Sequence, residues 1–236
     1  MKVEILFPEV ANLYGDLMNP EYLRRSCPDI ELIGTSLRDR PLFADEEPSL
    51  IYMGSVTEEG ITLAVEALTP YRERLAELID SGRLFLITGN ALDIFGEDIS
   101  ADSGWTQQCL GLFPTHAKYK MMDRYNALYV GSFGDMDIVG FKSLFGHSFG
   151  SVEPLFRTLR GDGLNENEKG EGIRKNRFMA TYVTGPLLIL NPPFTKWLLA
   201  EMGAADCTLA FEDAAMELYR QRVSQFKDPS TGIVYH

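Results

Sequence analysis

The stretch RLFLITGNALDIFG, residues 83–96, has the pattern of a buried strand running into a sharp turn and then a helix. A turn of that kind can carry a nucleophile at its tip. The tip residues are Thr88, Gly89 and Asn90, so neither cysteine nor serine stands at the turn. A threonine hydroxyl attacks only when an adjacent base activates it, and the histidines, His116, His147 and His236, all lie further along the chain. The ordinary role of Thr88 and Asn90 at such a turn is local hydrogen bonding. The stretch has the form of an active-site shell without its reactive group.

Other chemistry-bearing residues are sparse. Cys27, Cys109 and Cys207 are odd in number, far apart and without C-x-x-C spacing, so neither a disulfide framework nor a zinc site is expected. Cys109 falls in an apolar run, where a cysteine acts as a small hydrophobe. His147, after SLFG, is a candidate base for a pocket, and His116 is a similar lone imidazole; a lone histidine is more often structural, and base function requires geometry first. Asp93 stands one helical turn beyond the tip, either a pocket acid or an ordinary first-turn acid favoured by the helix dipole. GDGLNENEKGEG, residues 161–172, alternates acids with glycine but lacks EF-hand spacing and reads as a flexible polar loop. There is no G-x-x-x-x-G-K-[ST] phosphate loop, so the chain carries no nucleotide-dependent synthetase of its own. No metal and no cofactor is expected.

The elements that must position these residues follow from the apolar runs. KVEILF, IELIGTSL, PSLIYMGS and RLFLITG read as strands, and helical patterns separate them. Asn19-Pro20 supplies a cap and a first-turn residue for the first helix. Leu75, Leu78 and Ile79 share one face of a later helix that Pro70 starts and Gly82 stops. Continuous apolar strands alternating with helices predict an α/β fold, doubly wound, with a mainly parallel sheet and helices on both faces. Ligands of such sheets sit beyond the carboxyl ends of the strands. After Ile99 the runs are shorter and aromatic-rich, like strands of a mixed or antiparallel edge. RFMATYVTGPLLILNPPFTKWLLAEMG returns to a buried strand, a Gly-Pro turn and a helix, an amphipathic EDAAMELYRQRVSQF follows, and KDPSTGIVYH is a tail. No repeat or linker divides residues 1–236, which are expected to form a single domain.

With 236 residues, 45% of them hydrophobic, the chain can bury a large core. Its 34 acidic against 22 basic residues give a formal net charge of −12. That charge argues against nucleic acid or an anionic membrane as partner, in spite of a basic spot at Arg174–Arg177. No run approaches the about 18 apolar residues of a membrane span, the N-terminus lacks a signal core, and a cytoplasmic location is expected.

Several stretches together resemble the class I glutamine amidotransferases of the cobyric acid synthase type, within these most nearly the glutaminase subunits of lipid II isoglutaminyl synthases. They are ILFPEVANLYGDLMN, YMGSVTEEG, LITGNALDIFG, CLGLFPTHAK, GFKSLFG, GDGLNENEKGEGIR and ATYVTGPLLILNPPF, and their order matches from about Val3 to Phe194. The resemblance implies a flavodoxin-like fold. In active members it implies a cysteine on the elbow that attacks the glutamine amide and a histidine that shuttles the proton, with ammonia passed to a synthetase. Against the elbow C-G-G-Y-Q-x-L-G, the cysteine position falls on Gly89, or on Thr88 after a one-residue shift. Against G-T-Y-x-H-G-P-L-L, the histidine position is Thr184. The elbow glutamine corresponds to Asp93, the G-G-G-Q-D loop to Met53–Thr57, and GFENHGG to GFKSLFG. Framework residues such as Tyr14, Gly15, Asp16, Gly54, Gly96, Gly185 and Pro186 remain.

Departures thus gather where the chemistry of the family lies. The expectation is a protein of this type that lacks glutaminase activity and serves as a binding or partner subunit, docking on a Mur-ligase-like synthetase or holding a small ligand at Gly54, Ser55, Gly89, Asn90, Asp93 and Thr184. The alternative is an active amidotransferase subunit that supplies ammonia to a Mur-ligase-like or cobyrinate-amidating synthetase, with Thr88, His147 or a partner's residue as the rescuing group.

Overall fold

The computed structural model describes residues 1–232; His236 and the end of the tail lie outside them. Strands β1 (Lys2–Leu6), β2 (Glu31–Thr35), β3 (Leu50–Met53) and β4 (Phe85–Thr88) form where the apolar runs predict. They join β13 (Ile173–Lys175) and β14 (Phe178–Thr181) in a six-stranded sheet of order β13-β14-β4-β3-β1-β2, parallel except for the β13–β14 pair. Both faces of this sheet are covered, as unbroken apolar strands require. Alternation along β3 sends Ile51 and Met53 to a core shared with helices α2 (Glu58–Leu68) and α3 (Arg72–Asp80). Leu50 and Tyr52 face the opposite core, with α1 (Met18–Ser26), α4 (Leu187–Leu190) and α5 (Pro192–Glu201).

The middle of the chain departs from a simple edge. It forms two further four-stranded sheets. One, of order β10-β7-β5-β6, joins β5 (Asp98–Ala101), β6 (Thr106–Gln108), β7 (Thr115–Tyr119) and β10 (Gly146–Gly150). The other, of order β12-β11-β8-β9, joins β8 (Tyr125–Phe133), β9 (Met136–Leu144), β11 (Phe156–Arg160) and β12 (Gly170–Glu171). Helix α6 (Glu212–Lys227) packs on β8 and β9 through Tyr219, Val223 and Phe226.

Four local expectations change. Helix α1 starts before Asn19, which lies inside it; the Asn19 amide accepts from Leu188 N–H and donates to Tyr52 Oη, tying α1 to α4 and β3. The segment after β4 is a seven-residue 3₁₀ helix, Gly89–Phe95, rather than an α-helix. Cys27 and Cys207, 180 residues apart in sequence, are joined in a disulfide with a Cα–Cα distance of 5.4 Å, a contact that no spacing pattern signals. Residues 161–172 are not simply a solvated loop: Leu164, Asn165 and Glu171 are buried. Among the described residues no helix is long and apolar enough to cross a membrane.

Candidate functional site

The carboxyl ends of β1, β3 and β4 converge, and the chain leaving each one builds a wall of the same cavity, about 350 Å³ in volume. Tyr14 comes from the turn after β1, Ser55 from the loop after β3, and Gly89 and Asn90 from the turn after β4, with Arg124 and Tyr182 completing the lining. This is where an open α/β sheet places its ligands.

The turn at Gly89 has φ +64°, a left-handed conformation that favours glycine. A Cβ built there would overlap Ser55 Oγ and come within 2.7 Å of the Ser55 Cβ. The Ser55 hydroxyl therefore stands in the space that a side chain at the tip would need. Asp16 holds it: Asp16 Oδ2 accepts from Ser55 N–H (2.8 Å), Ser55 Oγ (2.7 Å) and Thr88 Oγ1 (2.9 Å). Thr88 is fully buried beneath the cavity, its hydroxyl also 3.1 Å from Tyr52 Oη. Asn90 fastens the two loops together, Oδ1 accepting from Val56 N–H (3.0 Å) and Nδ2 donating to Val56 O (2.8 Å).

Gly54, Asp93 and Thr184 support this cavity from behind and do not line it. Gly54 has no room for a Cβ beside Ala11 O (2.6 Å). Thr184 Oγ1 donates to Phe141 O (3.2 Å), and its backbone bridges Phe141. Asp93 is buried and accepts from three hydroxyls: Ser148 (2.7 Å) and Tyr182 on Oδ1, Tyr119 (2.7 Å) on Oδ2. Its position thereby fixes Tyr182, a wall of the cavity. His147 sits on β10 and faces a neighbouring cavity instead. Cys109 is half-buried away from both, and burial pushes its thiol up to about 12, so it holds little thiolate at neutral pH.

Burial raises the Asp93 carboxyl above its ordinary range, against the pull of its three hydroxyl donors, and raises Asp16 likewise. A carboxyl that binds its proton more tightly in the fold contributes stability that is fully present below the ordinary carboxylate value, about 3.9, and is lost as pH rises through the raised value. The urea midpoint is therefore expected to fall as pH rises from about 4 toward neutrality. Asp93→Asn, which keeps the shape and cannot ionise, should flatten that fall; an unchanged slope would show that the Asp93 carboxyl does not contribute.

Glu97, Asp98 and His116 cluster within 4.8 Å at the surface. His116 Nδ1 lies 2.8 Å from Asp98 and Nε2 3.4 Å from Glu97, so each ring nitrogen already faces a carboxylate.

Sequence reasoning placed Ser55, Gly89 and Asn90 in the cavity and missed Arg124 and Tyr182 as lining residues. Tyr182 carried a signal in ATYVTGPLL, where it matches the family tyrosine; Arg124, within KMMDRYN, carried none.

No protein-family model matches the chain. It is 26% identical over 192 residues to the lipid II isoglutaminyl synthase (glutamine-hydrolyzing) subunit GatD of Staphylococcus aureus strain N315, a match covering 80% of this chain and 78% of that protein. A solved glutamine amidotransferase superposes with a TM-score of 0.55 over 85% of this chain and 98% of its own, at 13% identity. A glutamine amidotransferase from Thermotoga maritima gives a TM-score of 0.47 over 96% of this chain and 90% of its own, at 11% identity. The chain thus shares the fold of a solved glutamine amidotransferase and is similar in sequence, over most of its length, to a GatD subunit.

Proposed function

We propose that this chain, one domain over residues 1–236, is an amidotransferase-like protein without glutaminase activity, acting as a binding or partner subunit. The carrying observation is the Ser55 hydroxyl held by Asp16 over Gly89, in the space a nucleophile's side chain would occupy. The positive φ of Gly89, against −118° at Thr88, favours Gly89 as the counterpart of the family cysteine. Among the described residues no cysteine or histidine lines this cavity. A glutamine bound there meets hydroxyls, amides, the Glu58 carboxylate and the Arg124 guanidinium, but no thiolate and no imidazole to take a proton.

The strand order β2-β1-β3-β4-β14 supports a flavodoxin-like reading of the sheet. The relative's name as a subunit supports a partnered role, and the resemblance points to a Mur-ligase-like synthetase as that partner. Ser55, Gly89 and Asn90 would touch a small ligand, with Gly54, Asp93 and Thr184 shaping the site from behind.

The test is ammonia release from glutamine by the purified protein, alone and mixed with a Mur-ligase-like protein encoded beside it. The expected result is no release above a heat-killed control in either case. Release in either case overturns the reading and favours an active amidotransferase subunit.

A further inference from the structure

A second cavity, about 720 Å³, opens beside the first between β7, β10 and the turn that follows β7. That size suits a metabolite-scale ligand. Lys118 and Lys120 are two residues apart and reach the same face of the strand and its extension. His147 stands directly across the ladder from Lys118. Arg124 closes the side toward the first cavity, its guanidinium 4.1 Å from the centre of the Phe145 ring.

The charges here are unusual for this molecule. Its net charge is −12, yet among the described residues Lys118, Lys120 and Arg124 have no carboxylate within ion-pair distance, while the two acids on the cavity, Asp123 and Glu166, leave the cations in excess. Glu166 lies instead toward His147, 4.0 Å from Nδ1. Like charges gathered on one concave wall repel one another, and an anion between them relieves that repulsion. His147 is on the same wall, its Nε2 closed off from solvent and 3.4 Å from Asp162 Oδ2. Phe149, whose ring centre is 5.1 Å from Lys118 Nζ, and Phe145 supply apolar faces for the body of such a ligand.

We propose that this second cavity is a binding site for a small, multiply charged organic anion, whose phosphate or carboxylate groups are held by Lys118, Lys120 and Arg124. The proposal stands apart from the reading of the elbow: an active or a silent Gly89 site leaves it unchanged.

Calorimetric titration of the intact protein with inorganic pyrophosphate and, separately, with citrate tests it. Saturable binding of one or both probes is expected at about physiological ionic strength, where long-range surface attraction is screened. Response to pyrophosphate alone assigns a phosphate site, to citrate alone a carboxylate site, and to both a site read by charge. Lys118→Ala/Lys120→Ala, at two exposed positions that leave the core intact, should weaken binding at least about tenfold. Arg157→Ala, which removes an exposed cation from β11 outside the cavity, should leave it unchanged. Absence of saturable binding of either probe, or equal affinity in the double lysine variant, overturns the proposal.

Discussion

Gly89→Cys, the substitution that places a thiol on the turn, is expected to destabilise the protein and to release no ammonia. Two costs combine. Any side chain at φ +64° pays roughly 1–2 kcal/mol for the left-handed backbone. Overpacking against a held neighbour adds about 1–3 kcal/mol, and the neighbour is Ser55, whose hydroxyl is fixed on Asp16. A loss of about 2–5 kcal/mol is a large part of the roughly 5–15 kcal/mol that holds a typical protein folded. Gly89→Ala should lose a similar amount, since the cost lies at Cβ rather than at sulfur. Adding Ser55→Gly to Gly89→Cys removes the overlap and should restore part of the stability. Only the triple variant that also carries Thr184→His supplies a thiol, space for it and an imidazole at the matched position, and it alone is expected to hydrolyse glutamine. Urea denaturation and an ammonia assay across the series check this. Wild-type stability of Gly89→Cys would show that Ser55 does not obstruct the turn.

Lys142→Met is expected to cost about 3–5 kcal/mol, the range seen when one partner of a buried ion pair is removed. Lys142 and Glu171 are both fully buried, Nζ and Oε1 3.4 Å apart. The ammonium donates to Asp162 O (3.0 Å) and Gly163 O (2.7 Å) and lies over the rings of Tyr129 and Tyr182. Glu171 accepts from Thr181 Oγ1 (2.6 Å) and Tyr182 N–H (2.8 Å). Burial drives the Lys142 pKa down while Glu171 opposes it, so the pair persists by mutual compensation. With Lys142 gone, the carboxylate keeps two donors and loses its countercharge. Lys142→Met/Glu171→Gln should therefore be less destabilised than the sum of the single variants. Chemical denaturation of the four proteins measures the coupling, and strict additivity would mean that the pair is not a unit. Because Glu171 grips the backbone at Tyr182, loosening of the cavity wall should accompany the loss.

The parallel strands were legible because both their faces are buried, which leaves uninterrupted apolar runs such as LIYM and FLIT. Leu75, Leu78 and Ile79 revealed α3 through their spacing, and all are buried. The segment after β4 misled for a physical reason. Residues 91–95 are buried all round, so they carry no amphipathic stripe that could distinguish a 3₁₀ run from an α-helix. The sequence left Asp93 open between a pocket acid and an ordinary first-turn acid, because its three donors come from Tyr119, Ser148 and Tyr182, far along the chain. The same blindness affected residues 161–172: polar composition does not distinguish a solvated glutamate from one paired with a buried lysine. Ser55 was placed in the pocket, but its obstruction of Gly89 depends on a close approach between two loops that no motif records. The cationic cavity was hidden by the acidic total, which says nothing of how charge is distributed.

Arg124 and Phe145 line both cavities, and Arg124 Nη1 donates to Tyr14 Oη (2.8 Å) on the side of the first. The guanidinium is thus a party wall between two chambers. An anion that drew it toward Lys118 would take a donor from Tyr14 on the side of Gly89, and a ligand that recruited it there would remove a cation from the other. Thermodynamic linkage makes the effect reciprocal, each occupant changing the affinity of the other by the same factor. Were both cavities to bind as proposed, their shared claim on Arg124 would make them an antagonistic pair, one occupant weakening the hold on the other.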